Sequence, residues 1–236
     1  EDVLRVLTAI VAVQRDHGNR GNRRRARMKY LVEDWGVRRF KAKVEEYLGG
    51  ESLADPRPIA VRGTDDHLGW RPQGDGRFYF GLFVENGRIR DEGGLRLKTG
   101  LREVLRRFAP AVWLTPQQGL LLGDLNPEWK DDLLTILRAH GVRPHEEVSG
   151  VRRHAMACPA LPTCGLAITE AERNLPGVLD RLEAEAARLG LGAEEFTVRM
   201  TGCPNGCARP YTADIGLVGK AVGKYTILVG GRRLGD

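Results

Sequence analysis

Two short cysteine-bearing segments decide how this sequence is interpreted. Residues 158–164 read Cys-Pro-Ala-Leu-Pro-Thr-Cys, and residues 203–207 read Cys-Pro-Asn-Gly-Cys. The spacings are therefore C-x5-C and C-x3-C, with 38 residues between the two pairs. Four thiolates at such spacings suit a metal centre, either a zinc ion or an iron–sulfur cluster. Structural zinc usually has about two to four residues between paired ligands, so the longer spacing favours a four-iron cluster.

The residues around the cysteines agree with a bulky metal centre. A proline follows the first cysteine of each pair and keeps both segments out of helices. Gly202 and Gly206 allow the backbone to approach an inorganic centre whose sulfides accept N–H bonds. Unligated buried thiols and disulfides are the other interpretations. Disulfides are disfavoured because nothing indicates secretion and a chain of 236 residues has a core that needs no cross-links.

The positive charge of the chain is concentrated in one segment. The sequence holds 37 Lys and Arg against 31 Asp and Glu, a net charge of +6. Residues 15–43 alone carry eleven basic and three acidic residues. Such a run can bind nucleic acid, a small anion, an anionic cofactor or an acidic protein, or it can be a solvated helix face.

The overall composition indicates a folded protein of the cell interior. Apolar residues make up 42% and charged residues 29% of the chain, which is near the average for globular domains. No apolar run approaches the roughly 18 to 20 residues of a membrane helix, and no signal-peptide layout is visible. We therefore expect one large or two small domains without a membrane segment.

Hydrophobic periodicity predicts an α+β architecture. Helices are expected at residues 3–11, 26–47 (interrupted at Gly36), 99–108, 127–140 and 175–189. Strands are expected at residues 78–84, 112–115, 120–125, 196–200, 214–218 and 225–229. Three local motifs refine this pattern: Thr99 is predicted to cap a helix, residues 169–172 resemble a capping box, and Glu85-Asn-Gly87 is typical of a hairpin-like turn.

The segments around the cysteines resemble the siroheme-dependent sulfite and nitrite reductase hemoproteins, and most closely the ferredoxin-dependent assimilatory sulfite reductases. The resemblance rests on residues 155–173, Ala-Met-Ala-Cys-Pro-Ala-Leu-Pro-Thr-Cys-Gly-Leu-Ala-Ile-Thr-Glu-Ala-Glu-Arg, and on residues 201–210, Thr-Gly-Cys-Pro-Asn-Gly-Cys-Ala-Arg-Pro. Residues 20–36 resemble the family's stretch of active-site basic residues. Residues 68–76 resemble the start of its second ferredoxin-like half domain.

This resemblance implies two coupled cofactors. By motif position, the ligands of a [4Fe–4S] cluster would be Cys158, Cys164, Cys203 and Cys207. Cys207 would also bridge to the iron of siroheme. Asn205 and Gly206 would then shape the junction between the cluster and siroheme.

The resemblance also implies a function for the basic segment. Arg27 and Lys29 take the positions of the family's paired basic residues, which bind the substrate oxyanion and deliver protons. Sulfite reductases often carry lysine at both positions, so Arg27 is a departure that leaves Lys29 as the better proton donor. Arg23 is expected to meet a siroheme carboxylate or to face solvent.

The expected fold is α+β, with a ferredoxin-like half domain followed by a siroheme- and [4Fe–4S]-binding α/β lobe, as part of the pseudo-twofold sulfite reductase fold. We expect residues 1–55 to form the end of the first siroheme-binding lobe, residues 65–142 the second ferredoxin-like half domain, and residues 150–236 the second siroheme- and cluster-binding lobe. The family's preceding N-terminal half is missing, so the chain is expected to be a piece of a longer polypeptide and a partner of that half.

The function implied by the resemblance is the six-electron reduction of sulfite to sulfide in sulfur assimilation. Because no flavin or nicotinamide fingerprint occurs, electrons are expected from ferredoxin, with a flavoprotein reductase as the other candidate. The expected compartment is the cytoplasm, or the plastid stroma in a plant or alga.

Two other functions are weighed against sulfite reduction. A siroheme nitrite reductase, which forms ammonia, shares the four cysteines and is disfavoured by Lys29. A nucleic-acid-binding zinc protein would instead contain zinc and bind nucleic acid in a salt-dependent way, and we expect neither nucleic acid nor a membrane among the partners.

Overall fold

The structure is a computed structural model that describes residues 2–22, 25–57 and 65–231. Its helices are α1 (Asp2–His17), α2 (Met28–Trp35), α3 (Val37–Tyr47), α4 (Leu97–Phe108), α5 (Lys130–Ala139), α6 (Gly150–Arg153) and α7 (Leu175–Arg188). Its strands are β1 (Gly69–Pro72), β2 (Phe78–Leu82), β3 (Asp91–Glu92), β4 (Leu95–Arg96), β5 (Ala111–Leu114), β6 (Leu120–Leu125), β7 (Met156–Ala157), β8 (Val198–Thr201), β9 (Ile215–Ala221) and β10 (Lys224–Val229). The chain divides into two compact units, Glu1–Gly63 and Thr64–Asp236.

The first unit is helical. Helices α1 to α3 pack around a small core that includes Val13, Leu31 and Val44. Gly36 ends α2 and precedes α3 at a φ of +75°, a left-handed conformation that glycine adopts without strain. The predicted interruption of the helix at this residue is therefore confirmed.

The second unit begins with an antiparallel sheet of strand order β1-β2-β6-β5. Leucines of β6 alternate toward a core that also contains apolar side chains of α4 and α5. The two helices therefore cover one face of this sheet, as expected where one side of an antiparallel sheet is buried. The turn between β5 and β6, residues 115–119, contacts the second sheet through Gln118, which bonds Ala157.

A second sheet of order β10-β9-β8-β7 follows in the same unit. Strands β7, β8 and β9 are parallel, and β10 runs antiparallel to β9. Leu175 and Leu179 of α7 pack against Val198 and Met200 of β8 in a second core. Since parallel strands end at the same edge of a sheet, the segments that follow β7 and β8 emerge side by side.

Partly buried ion pairs join the layers of the two sheets. The guanidinium of Arg152, at the end of α6, contacts Glu85 at 2.6 Å, Asp180 at 2.5 Å and Glu183 at 2.7 Å. Arg88 makes a bidentate contact with the buried Glu172, at 2.8 and 2.5 Å. Glu85 and Arg88 belong to the first sheet's layer, and their partners belong to the second.

The predicted turn and capping motifs differ from the structure. Residues 85–87 form a 3₁₀ turn, and β2 pairs with β1 and β6 rather than with a strand that follows this turn. Helix α4 begins before Thr99, whose backbone N–H and hydroxyl both bond the Asp91 carboxylate. The four-residue pattern at 169–172 is no capping box, because α7 begins only at Leu175 and Glu172 bonds Arg88.

Among the described residues, no helix is long and apolar enough to cross a membrane.

Candidate metal centre

The first cysteine of each pair lies at the end of a parallel strand. Cys158 directly follows β7, and its backbone N–H donates to the carbonyl of Met200 in β8 at 3.1 Å. Cys203 follows β8 after one glycine. The parallel pairing of β7 and β8 therefore brings the two cysteine segments to one edge of the second sheet.

Gly202 connects the two segments. Its N–H donates to the Cys158 sulfur at 3.3 Å, and its carbonyl accepts from Ile168 and Thr169 at 2.8 and 3.1 Å. A Cβ at this position would lie 2.5 Å from the Thr169 carbonyl oxygen and 2.6 Å from the Cβ of Ala160. Only glycine fits here, because the chain that carries Cys158 and Cys164 passes directly against it.

The loop between Cys203 and Cys207 is a tight turn. Gly206 has a φ of +68°, and a Cβ there would lie 2.6 Å from the Tyr211 ring. The Tyr211 hydroxyl donates to the Pro204 carbonyl at 2.8 Å. The half-buried Asn205 lies within this turn, so the predicted junction residues Asn205 and Gly206 lie between the two cysteines in the fold as well as in the sequence.

The four cysteines are free thiols. Burial raises the pKa of Cys158 above its usual value, the N–H groups of Gly202 and Ala160 oppose this, and the neighbouring Cys207 and Cys203 add to it. Among the described residues, no group of three or more His, Cys, Asp or Glu side chains converges as on a single metal ion. A four-iron cluster does not require such convergence, because each of its four thiolates binds a different iron atom.

One face of β8 carries buried polar atoms that bond no other described residue. Arg199 and Thr201 project from the face opposite the apolar Val198 and Met200, because side chains alternate along a strand. The Arg199 Nε and the Thr201 hydroxyl are buried and have no hydrogen-bond partner among the described residues. Burial lowers the pKa of Arg199, and the nearby Arg209 adds to this effect. Thr201 ends β8, and Cys203 follows it after one residue.

The predicted substrate residues lie in the first unit, at the start of α2. Arg27 occupies the cap position and is exposed, and Lys29 is exposed in the first turn, with its ammonium 4.9 Å from the centre of the Tyr30 ring. Arg25 is bound by Asp34 and Glu33, at 2.6 and 3.3 Å. The predicted cofactor residue Arg23 lies outside the described residues.

Comparisons with known proteins identify the family. A family model described as the nitrite and sulphite reductase 4Fe-4S domain matches residues 1–52. A second model, the nitrite/sulfite reductase ferredoxin-like half domain, matches residues 71–140. The chain belongs to the nitrite and sulfite reductase family. The four cysteines lie outside both matched ranges, so their assignment rests on their own motifs and geometry.

Named relatives agree with this family. The chain is 47% identical to a ferredoxin sulfite reductase of Synechococcus elongatus, over 98% of the chain and 37% of that protein. It is 46% identical to an NADPH sulfite reductase hemoprotein beta-component of Chromohalobacter salexigens, over 99% of the chain and 40% of that protein. The chain therefore spans about two fifths of the length of these curated relatives.

A solved structure shows the same fold. The NirA protein of Mycobacterium tuberculosis superimposes with a TM-score of 0.81 at 29% identity, over 98% of this chain and 43% of that one. Together with the half-domain match, this confirms the predicted α+β fold with a ferredoxin-like half domain.

Membership of the nitrite and sulfite reductase family implies siroheme and a [4Fe–4S] cluster as cofactors, and the residues of this chain fit both. Four thiols supply the donor set of a four-iron cluster, and the N–H of Gly202 is aimed at a cysteine sulfur. Siroheme carries carboxylates, and such groups can accept from the Arg199 Nε and the Thr201 hydroxyl, which bond no other residue that the structure describes.

Proposed function

We propose that the protein to which this chain belongs reduces sulfite to sulfide with six electrons. The observation that supports this most directly is the junction at Gly202, which brings the segments of Cys158 and Cys203 together at the ends of two parallel strands. The named relatives, which are sulfite reductases, support the choice of substrate.

The cysteines are proposed as the ligands of the metal centre. Cys158, Cys164, Cys203 and Cys207 would hold the [4Fe–4S] cluster, and Cys207 would also bind the siroheme iron. When bound, these groups supply single electrons and an open iron site for the substrate. The turn of Asn205 and Gly206 would fix the separation between Cys203 and Cys207, because the Tyr211 hydroxyl bond and the left-handed Gly206 restrict its backbone.

Arg27 and Lys29 are proposed to bind the substrate and supply protons. Sulfite is an oxyanion whose oxygens leave as water, so the protein must offset its charge and protonate those oxygens. Both side chains are exposed at the start of α2 and are not packed into the core of the first unit. Lys29 is the proposed proton donor because an ammonium loses a proton far more readily than a guanidinium. Arg23 is proposed to contact a siroheme carboxylate.

The remaining three fifths of the full protein would complete the site. The domain limits proposed for this chain are residues 1–55, 65–142 and 150–236, with the central one the second ferredoxin-like half domain. The electron donor is proposed to be ferredoxin, since the net charge of +6 suits a small acidic protein. Relatives named for ferredoxin and for NADPH both match, so the assay below includes both donors.

The test is a spectrum and an assay of the full-length protein, purified anaerobically from cells that make siroheme. We expect siroheme absorption bands, about five irons per protein, and sulfite reduction with reduced ferredoxin. A colourless protein that contains zinc would contradict the proposal. Faster turnover of nitrite than of sulfite would identify a nitrite reductase. Activity only with NADPH and a flavoprotein would show that the electron donor is a flavoprotein reductase rather than ferredoxin.

A further inference from the structure

We infer that the β5–β6 turn, residues 115–119, is a positioning element for the cysteine segments, and that Gln118 is its principal positioning residue. This inference rests on the proposed function, because it assigns the turn a role in holding the ligands of the proposed cluster. The turn belongs to the half-domain sheet, whereas the cysteines follow strands of the other sheet.

The side chain of Gln118 takes the place of a neighbouring strand beside β7. Its amide nitrogen donates to the Ala157 carbonyl at 2.8 Å, and its amide oxygen accepts from the Ala157 N–H at 3.3 Å. In the described sheet β7 is the last strand, so its outer edge faces away from β8. Backbone groups alternate in direction along a strand. Cys158 bonds to β8 through its N–H, and Ala157 therefore points to the outer edge, where Gln118 satisfies both of its backbone groups.

The turn itself is held in one conformation. The Gln118 N–H donates to the Thr115 carbonyl at 3.1 Å, and the Gly119 N–H donates to the Thr115 hydroxyl at 3.0 Å. Gln118 has a φ of +64°, which non-glycine residues adopt at a cost that the surrounding bonds must offset. This conformation directs the Gln118 side chain toward Ala157, which is 1% exposed as part of the second core.

The same turn also contacts the segment of the last cysteine. The Arg209 guanidinium donates to the Pro116 carbonyl at 3.0 Å and to the Gln117 side-chain oxygen at 3.3 Å. The Arg209 N–H in turn donates to the Gly206 carbonyl at 2.9 Å. One turn thus bonds the residue before Cys158 and the residue two positions after Cys207. Gln118 is the cleaner site for a test, because Arg209 also lies beside Arg199.

The chain offers a matched control for Gln118. Gln73 makes the same kind of two-point contact with Asp124 at the opposite end of β6: its amide nitrogen donates to the carboxylate at 3.2 Å, and its amide oxygen accepts from the backbone N–H at 2.7 Å. Gln73→Met removes these bonds without touching a cysteine segment. Gln118→Met removes the bonds to Ala157 while keeping the length of the side chain.

The experiment compares both variants in the full-length protein purified with its cofactors. Two quantities are measured: hydrogen exchange of the peptide that contains Ala157, and the rate of iron release to a chelator. For Gln118→Met we expect exchange at Ala157 at least tenfold faster and iron release several-fold faster, and for Gln73→Met we expect wild-type rates. Gln118→Glu keeps an acceptor for the Ala157 N–H but places a carboxylate oxygen against the Ala157 carbonyl. Both of its rates should therefore also exceed those of the wild type, and this variant serves if the methionine variant does not fold.

Three outcomes overturn the inference: wild-type exchange and iron release in Gln118→Met, faster exchange without faster iron release, or equal effects in Gln73→Met. A wild-type protein that carries no iron would contradict the proposed function instead. The exchange rate at Ala157, measured without iron, still shows whether Gln118 holds that backbone.

Discussion

At the scale of single residues, Gly202 combines two requirements that no other residue type meets. It must leave room for the chain of Thr169 and Ala160, and its N–H must reach the Cys158 sulfur. We predict that Gly202→Ala lowers the free energy of unfolding by about 1–3 kcal/mol, because the added methyl group meets backbone that cannot move freely. The midpoint of urea unfolding measures this change.

Gly177 provides the control for that substitution. It is exposed near the start of α7, and a Cβ there meets nothing within 4 Å. Gly177→Ala should therefore raise stability by about 0.5–1 kcal/mol through helix propensity. Equal midpoints for the two variants would show that the close contacts at Gly202 do not change the free energy of unfolding when a methyl group is added.

Lys29 permits a prediction about activity. If it supplies protons to the departing oxygens, Lys29→Met should lower kcat for sulfite by about a hundredfold, within the usual range for a lost general acid. The absorption spectrum should not change. Lys43→Met removes a lysine of the same unit that is paired with Glu46 at 2.5 Å, and it should retain full activity. A drop in kcat below twofold for Lys29→Met would remove Lys29 from the mechanism.

At the scale of elements, the sequence predicts what local periodicity encodes. The strands of 112–115 and 120–125 and the helix of 175–189 are present as β5, β6 and α7, because each alternates or repeats over enough residues to carry a signal. Strand β7 spans two residues and was not predicted. It exists because β8 and Gln118 bond its two edges, and those partners are distant in sequence.

The mistaken motifs have the same physical origin. The Thr-x-x-Glu pattern at 169–172 satisfies a local rule, yet Thr169 bonds the Gly223 N–H and Glu172 bonds Arg88. Tertiary partners that are buried and charged outweigh a helix cap of about 1 kcal/mol. The same distinction applies to the candidate site. The spacing of the cysteines predicts the proposed ligands from the sequence, whereas no local sequence pattern predicts the contact of the Gln118 amide with Ala157.

Helix α6 is a single turn that depends on ion pairs, and this makes part of the stability pH-dependent. Burial would raise the pKa of Glu183, but hydrogen bonds from Arg152 and Ser149 lower it below its usual value of 4.5. A lowered pKa stabilises the fold above about pH 4.5, and this contribution is lost as the pH falls further. We predict that Glu183→Gln lowers the free energy of unfolding by about 1–2 kcal/mol at pH 7, with a difference that shrinks toward pH 3.

Denaturant unfolding across this pH range tests that prediction. Glu185 lies on α7, as does Glu183, and it pairs with Arg188 at the exposed surface. Solvent screens this interaction. Glu185→Gln should therefore have a smaller effect at every pH. A constant difference between Glu183→Gln and the wild type from pH 7 to pH 3 would contradict the link to ionisation.

At the scale of the whole second unit, polar contacts rather than one continuous apolar core join the two sheets. Each sheet has its own core, and the bonds between the layers include those of Arg152 with Glu85, Arg88 with Glu172 and Gln118 with Ala157. Directional bonds fix a relative position more closely than apolar contact does. This suits a site whose ligand loops lie on one sheet and are held by a turn of the other.

The Arg88–Glu172 pair gives the test of that coupling. Hydrogen bonding to Glu172 raises the pKa of Arg88, and the Glu172 side chain is only 7% exposed, so removal of the arginine leaves a buried charge unpaired. In a double-mutant cycle of Arg88→Met and Glu172→Gln, we predict a coupling energy of about 1–2 kcal/mol. Hydrogen exchange should show β6 and β8 opening with one free energy in the wild type, and β8 opening first in Arg88→Met. A coupling energy near zero, with both strands still exchanging together, would mean that the apolar contacts alone hold the two sheets together.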